Sequence, residues 1–332
     1  MIEARELRKT YRTAAGAVEA LKGVSIDVAP GELVAFLGPN GAGKSTCLRV
    51  LTTLLLPTAG TARVAGHDVL REPAAVRRRI GYVGQGHGAG YYHQVRDELV
   101  TQGRAYGLGW RAARARAEEL LAAFRLEGLA DRNAGTLSGG QQRRLDVAMG
   151  LVHEPPLLFL DEPTTGLDPQ NRANLWAHVL EVRRRSGTTV VLTTHYLEEA
   201  DAMAERVLVI DDGRVIADGT PARLKEDLAG DGLAVTLASA DDVGAAAAVA
   251  ARFGGEGGVE RQDGPDGPAL RLRVPKAHEV LPALLKALDA AGVAVRAAEA
   301  SRPTLDDVFL ALTGRSLRDE GTADAAAMEV AA

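Results

Sequence analysis

The stretch Gly38, Pro39, Asn40, Gly41, Ala42, Gly43, Lys44, Ser45, Thr46 constrains the fold more than any other part of the chain. It fits the spacing G-x-x-x-x-G-K-[ST]. It follows the apolar, strand-like run Leu33–Leu37 and precedes the helical spacing Leu48, Leu51, Leu55, the context in which such a loop works. Glycines let backbone N–H groups turn inward and approach anionic oxygens closely. The helix start adds unpaired N–H groups and the positive end of its dipole. The stretch therefore reads as an anion nest, with Lys44 reaching β- and γ-phosphates and the Ser45 hydroxyl holding Mg²⁺. A glycine-rich strand-to-helix turn without a ligand is the plain alternative. Cys47, next in the chain, reads as a helix-packing residue rather than a reactive thiol.

Around this loop the chain alternates between strand and helix patterns. Val24–Val28 and Leu33–Leu37, separated by Pro30-Gly31, suggest a hairpin-like start, and the helical spacing Leu48, Leu51, Leu55 from Lys44 is expected to end before Pro57. Thr61–Val64 is again extended. The Ala-, Arg-, Glu- and Leu-rich segment from Arg96 to Leu129 predicts a helical subdomain, taken to span about residues 86–154. Strand-like runs Leu157–Leu160, Val190–Thr193 and Val207–Ile210 then alternate with helices near Arg172–Arg184 and Leu197–Ala204. This is the pattern of a parallel sheet with crossover helices. Beyond Gly219 the order strand, helix, strand, strand, helix, strand over Leu233–Ala297 suggests a small ferredoxin-like α+β domain. A last helix follows Thr304, and the acidic, small-residue tail from Leu317 to Ala332 reads as disordered. The expected organisation is thus an α/β nucleotide-binding domain over residues 1–219 and an accessory domain over residues 220–316.

Composition narrows the partners. A formal charge of -5 and a pI near 5.9 leave no basic footprint for nucleic acid, which is not expected as a partner. The best apolar runs, Leu157–Leu160 and Val190–Leu192, are strand-length, far short of the roughly 20 residues a spanning helix needs. The charged first residues do not resemble a secretory signal, so a cytoplasmic chain is expected. One cysteine in the sequence allows no internal disulfide.

Two further clusters carry chemistry. The apolar strand Leu157–Leu160 ends in Asp161-Glu162-Pro163. Neighbouring side chains on a strand face opposite sides, so the two acids can do two jobs. Asp161 is placed to bind Mg²⁺ and Glu162 to polarise an attacking water; a solvated acid pair is the alternative. In Leu137-Ser138-Gly139-Gly140-Gln141, Ser138 and Gln141 have the spacing of a capping box. Capping alone would account for them, but the two glycines also let a phosphate approach the helix end. The order of these motifs resembles that of ATP-binding cassette (ABC) ATPases, whose signature is LSGGQ between the two Walker motifs.

That resemblance covers about residues 1–220 and implies further roles. Tyr11 matches the family's adenine-stacking aromatic, with an ordinary packed tyrosine as the alternative. Gln85 matches the glutamine that senses Mg²⁺ and the attacking water. Asp168 matches the loop joining the two nucleotide sites, or is a simple N-cap. His195 matches the histidine that contacts the γ-phosphate. The fold implied is the P-loop ABC core, a mostly parallel sheet with an antiparallel β subdomain and a helical subdomain. The implied mechanism is a head-to-tail, ATP-dependent homodimer, each ATP lying between one chain's P-loop and the other chain's Ser138–Gln141.

Through Arg302–Gly314 and the domain before it, the chain is similar to ATPase subunits of daunorubicin/doxorubicin-resistance exporters. This implies a separate transmembrane permease and a position on the cytoplasmic face of the membrane. On residue pattern alone, Leu305, Val308, Phe309 and Leu312 form the stripe of a docking helix. The stretch Gly86–Gln94 departs from common exporter relatives and reads either as a partner-specific coupling loop or as a merely mobile one. Its His87 and His93 lack the neighbours of a metal site. The alternatives are an ABC ATPase acting on ribosomes or DNA, and the motor of an importer. A single P-loop and signature, without a long heptad run, argue against the first.

Overall fold

The computed structural model describes residues 1–13, 16–228, 230–254, 258–264 and 267–315. The expected disordered tail lies outside them. The chain divides into two compact units, Met1–Gly219 and the part from Thr220 onward.

In the first unit, β1 (Ile2–Thr13) pairs antiparallel with β2 (Gly16–Val28). Next come β3 (Leu33–Leu37) and α1 (Lys44–Leu51), followed by β4 (Ala59–Val64), β5 (His67–Asp68), α2 (Pro73–Arg79) and β6 (Ile80–Val83). Three helices then intervene: α3 (Val95–Ala105), α4 (Trp110–Ala123) and α5 (Gly139–Gly150). The chain returns through β7 (Leu157–Asp161), α6 (Pro169–Ser186), β8 (Thr189–Thr194), α7 (Leu197–Met203), β9 (Arg206–Asp211) and β10 (Arg214–Gly219).

The strands form an antiparallel sheet of order β2-β1-β4-β5 and a six-stranded sheet of order β10-β9-β3-β8-β7-β6. In the latter, β9, β3, β8, β7 and β6 run parallel and β10 is an antiparallel edge. Every residue of β3, β7 and β8 is buried, which is why these strands read as continuous apolar runs rather than alternating ones. Four adjacent parallel strands, β3, β8, β7 and β6, therefore deliver the residues after their carboxyl ends to one edge of the sheet. That edge is where open α/β sheets bind ligands.

Two local expectations need correction. The turn at Pro30-Gly31 is present, but β2 pairs with β1 while β3 belongs to the other sheet. The hairpin is therefore β1–β2, and the turn passes between sheets. Helix α1 ends before Pro57 as expected, but it stops at Leu51 and does not reach Leu55 of the helical spacing. Thr52 Oγ1 donates to the Leu48 carbonyl, and Thr53 takes a left-handed backbone (φ 62°) that ends the helix.

The second unit opens with α8 (Pro221–Leu228). It continues through β11 (Asp231–Leu237), α9 (Val243–Ala250), β12 (Val259–Gly264), β13 (Gly267–Val274), α10 (Ala277–Ala290), β14 (Val295–Ser301) and α11 (Leu305–Thr313). Its antiparallel sheet has the order β12-β13-β11-β14, so each β-α-β unit is split by one strand, as the β-α-β-β-α-β pattern predicts. Leu233, Val235, Leu237, Leu272, Leu284 and Leu288 anchor its own core. Thr304 caps α11 in a capping box with Asp307. The stripe Leu305, Val308, Phe309 is buried, and α11 lies against α8 of the same unit.

Cys47 is fully buried and burial pushes its thiol up to about 12. Thiol reagents should leave the native protein unlabelled with or without nucleotide and react only after denaturation, as mass spectrometry would show. His153 lies flat on Tyr106 with ring centroids 3.6 Å apart. Its Nε2 donates to the Ile80 carbonyl at 3.0 Å, and Nδ1 is buried without a partner. Burial lowers its pKa from 6.5 to about 4 against the opposing hydrogen bond. The folded state thus resists protonation that the unfolded chain accepts. This contribution to stability is complete above about pH 6.5 and is lost as pH falls toward about 4. Urea unfolding across that range should show a shallower pH dependence for His153→Phe than for the wild type; parallel curves would refute the assignment.

Candidate functional site

The loop from Gly38 to Gly43 leaves β3 and enters α1 in a shape that only small residues permit. A Cβ on Gly38 would lie 2.0 Å from the Ile210 carbonyl oxygen. Gly43, the N-cap of α1, has φ 103° and would place a Cβ 2.5 Å from the Ala20 carbonyl. Lys44 is 4% exposed, and its Nζ donates to the carbonyls of Gly38 at 2.7 Å and Pro39 at 2.8 Å. Burial lowers its pKa, opposed by Glu162 and Asp161. The cleft around it is lined by Asn40 through Thr46, Gln85 and Glu162.

Asp161, the last residue of β7, is completely buried. Its Oδ1 accepts from Ser45 Oγ at 2.8 Å and Thr193 Oγ1 at 2.7 Å, while Oδ2 has no hydrogen-bond partner. Gln85 Nε2 donates to Ser45 Oγ at 3.4 Å. An orphaned carboxylate oxygen beside a hydroxyl and a carboxamide is a hard-oxygen set. Such a set suits Mg²⁺, which takes one or two protein carboxylates and completes its shell with phosphates and water. The residues present fit that ion.

Glu162 departs from the reading based on strand alternation. The strand ends at Asp161, and Glu162 has φ 47°, a left-handed backbone that non-glycine residues seldom adopt. Its N–H is held by the Thr193 carbonyl at 3.2 Å and Thr193 Oγ1 at 3.0 Å. This turn, rather than the pleat, aims the carboxylate into the cleft. There Oε1 lies 3.8 Å from Lys44 Nζ, and Oε2 lies 3.5 Å from His195 Nδ1 and 3.2 Å from the donating Thr165 Oγ1. Burial alone would raise the Glu162 pKa; His195, Lys44 and Thr165 outweigh it and hold the group below the usual carboxylate range. A carboxylate kept ionised beside a cleft can accept a proton from a water lying there.

The other sequence-predicted residues fall into two sets. Tyr11, on β1, reaches the cleft's rim with its hydroxyl 3.4 Å from Thr46 Oγ1. Ser138 to Gln141 are absent from the cleft lining. They begin α5 with the expected capping box: Gln141 N donates to Ser138 Oγ at 3.4 Å and Ser138 N to Gln141 Oε1 at 2.9 Å. Gly140 packs so tightly that a Cβ there would lie 2.7 Å from Asn171 Cγ. Asn171 in turn donates to Asp168, which caps α6. The capping readings of Ser138 and Asp168 therefore hold, and the two caps touch.

Sequence reasoning missed four buried charged groups, Glu98, Arg143, Asp146 and Glu199. Glu199 on α7 accepts from Thr164 Oγ1 and from Thr194 Oγ1, joining the segment after Glu162 to that before His195. Arg143 on α5 donates to backbone carbonyls of Gly84 and Asp161 through Pro163. The spacing of Gly140, Arg143, Val147 and Gly150 on one helix face was the available signal. The loop Gly86–Gln94 is anchored rather than free. Asp146 accepts from Gly88 N at 2.8 Å and pairs with His87, and Glu98 accepts from Gly90 N at 2.8 Å and pairs with His93. Among the described residues, no group of three or more His, Cys, Asp and Glu side chains is placed to hold a metal ion.

Comparison with known proteins agrees with this geometry. The family profile described as ABC transporter matches residues 21–165, and that of the ATP-binding protein DrrA1-3-like C-terminal domain matches residues 219–313. The chain is 46% identical to the daunorubicin resistance ATP-binding protein DrrA3 of Streptomyces coeruleorubidus, over 91% of this chain and 94% of the relative. It is 43% identical to the daunorubicin/doxorubicin resistance ATP-binding protein DrrA of Streptomyces peucetius, over 99% of this chain and 97% of the relative. Among solved structures, the dimeric post-hydrolysis state of an ATP-binding cassette bound to ADP and Pi superposes with a TM-score of 0.62 at 29% identity. It covers 66% of this chain and 98% of that one. With a relative this similar extending through both units, the chain belongs to the ABC transporter family as an ATP-binding, ATP-hydrolysing subunit.

Proposed function

We propose that the chain powers a membrane exporter of drugs or other hydrophobic or amphipathic cargo, by ATP-driven head-to-tail pairing of two copies. The observation that carries the motor is the convergence, at one sheet edge, of the Lys44 loop, the Ser45–Asp161–Thr193 network and Glu162. The exporter reading is supported by relatives named for daunorubicin and doxorubicin resistance that match both units.

ATP binds with its phosphates in the nest from Gly38 to Thr46 and its adenine against Tyr11. Lys44 exchanges its loop carbonyls for phosphate oxygens. Ser45 and Asp161 would hold Mg²⁺, with Gln85 beside them, and the ion would supply positive charge to offset that of the phosphates. Glu162 orients and deprotonates the attacking water, and His195, set by Thr194 and Glu199, faces the γ-phosphate. The second copy supplies Ser138–Gln141, whose Gly139 and Gly140 N–H groups lie in the first turn of α5, where a helix has no internal acceptor for them. A γ-phosphate held from both sides favours the closed pair, and its loss on hydrolysis removes the differential affinity that kept the pair shut. Asp168, beside the signature helix through Asn171, would join the two sites in the closed pair.

No helix among the described residues is long and apolar enough to cross a membrane. Relatives named as the ATP-binding proteins of resistance and export systems support a separate permease subunit that carries the cargo path. The chain would sit on the cytoplasmic face, with Gly86–Gln94 as the coupling loop. Tyr91 is 68% and Tyr92 85% exposed there, an amphipathic surface held out by the Asp146 and Glu98 anchors.

Glu162→Gln is expected to bind ATP, to lose about 10²–10⁴-fold in turnover and to accumulate closed dimers on size exclusion. Near-normal turnover would reject Glu162 as the base. For the exporter, affinity capture of the chain from detergent-solubilised host membranes should co-purify a polytopic membrane subunit. Repeated recovery of active ATPase without one would overturn that half.

A further inference from the structure

We propose that Arg143 and Asp146 are positioning residues for ATP hydrolysis, fixing Glu162 and Gln85 through their backbones from one face of α5. The proposal rests on the reading of Glu162 as the base.

Arg143 is 4% exposed, and its guanidinium is spent on main-chain carbonyls. Nε donates to Pro163 O at 2.6 Å and Nη2 to Asp161 O and Glu162 O at 3.2 Å, while Nη1 donates to Gly84 O at 2.6 Å. One planar fork thus ties the left-handed turn at Glu162 to the residue immediately before Gln85. Asp146, one helical turn on and 5% exposed, takes hold of the other side of Gln85. Its Oδ1 accepts from Gly88 N at 2.8 Å, and its Oδ2 lies 2.9 Å from His87 Nδ1. Gln85 is therefore bracketed by two side chains of the same helix.

The residue types suit this work. A carbonyl buried without a donor is costly, and only arginine offers several donors in a rigid plane; a lysine ammonium cannot span the same set. Glu162 adopts its unusual backbone only while the surroundings enforce it. Thr193 holds its N–H and Arg143 its carbonyl, so both ends of that residue are fixed. Helix α5 begins at Ser138, so a shift of its N-terminus when two copies close would be delivered to Glu162 and Gln85 through these contacts.

The test is Arg143→Lys, which keeps charge and stem, with Asp146→Asn as the second variant. For both, equilibrium binding of a fluorescent ATP analogue should stay within about twofold of wild type. The kcat of Arg143→Lys should fall by about tenfold or more, since small displacements of reacting groups cost that much. Asp146→Asn should lower kcat to a lesser degree. In a Glu162→Gln background, Arg143→Lys should lower the residual rate by less than about twofold further, because it acts through that carboxylate. Wild-type kcat in Arg143→Lys would overturn the proposal, as would parallel losses of kcat, nucleotide affinity and melting temperature. Should Arg143→Lys fail to fold, Asp146→Asn must show the same split of kcat from binding, or the proposal is overturned. High turnover in Glu162→Gln alone would reject the base; low turnover there with unchanged Arg143→Lys would reject only the positioning.

Discussion

The buried carboxyl of Asp161 organises the first unit. It sits at the end of a wholly buried strand, where an acid is costly unless its oxygens are satisfied. The protein supplies Ser45 from the start of α1 and Thr193 from β8, so three elements must arrive together for one oxygen to be paired. The other oxygen is left buried without a hydrogen-bond partner. The register of β7 against β8, with Asp161 opposite Thr193, follows from the same requirement.

Around that point the sheet gathers groups that lie far apart in sequence. β3 ends at the phosphate loop, β6 at Gln85, β7 at Asp161 and Glu162, and β8 at His195. Because these strands are parallel neighbours, their carboxyl ends share an edge without any long connection being bent toward it. The helical insertion between β6 and β7 then returns through α5, whose buried Arg143 reaches back to the same edge. The insertion is thus fastened to the sheet by hydrogen bonds to main chain as well as by apolar packing.

Much of this was legible in sequence because it follows from local rules. The loop from Gly38 to Thr46 announces itself by glycine spacing between two periodicities, and the capping boxes at Ser138 and Thr304 are visible in a few residues. The fully buried strands were legible as apolar runs, and the second unit as alternating strands and helices. What failed depended on tertiary contacts or on backbone excursions. Nothing near Pro30-Gly31 says that the flanking strands join different sheets. Nothing in Leu48, Leu51, Leu55 says that Thr53 turns left-handed. The acids at 161 and 162 stand out in sequence at the end of an apolar strand, but the direction of Glu162 comes from a φ that no periodicity encodes. Arg143 was missed for a related reason: its place on the face of Gly140, Val147 and Gly150 hints at burial, but a charged residue in a helix looks solvated until the carbonyls it faces are known.

Glu162 carries a consequence for how such a chain can evolve. A left-handed backbone there disfavours a long side chain by roughly 1 kcal/mol or more, whereas glycine or asparagine would adopt it with less strain. Selection for stability alone would therefore replace the glutamate. Its presence at a site where the fold would be better served by a smaller residue is a standing record of a different pressure.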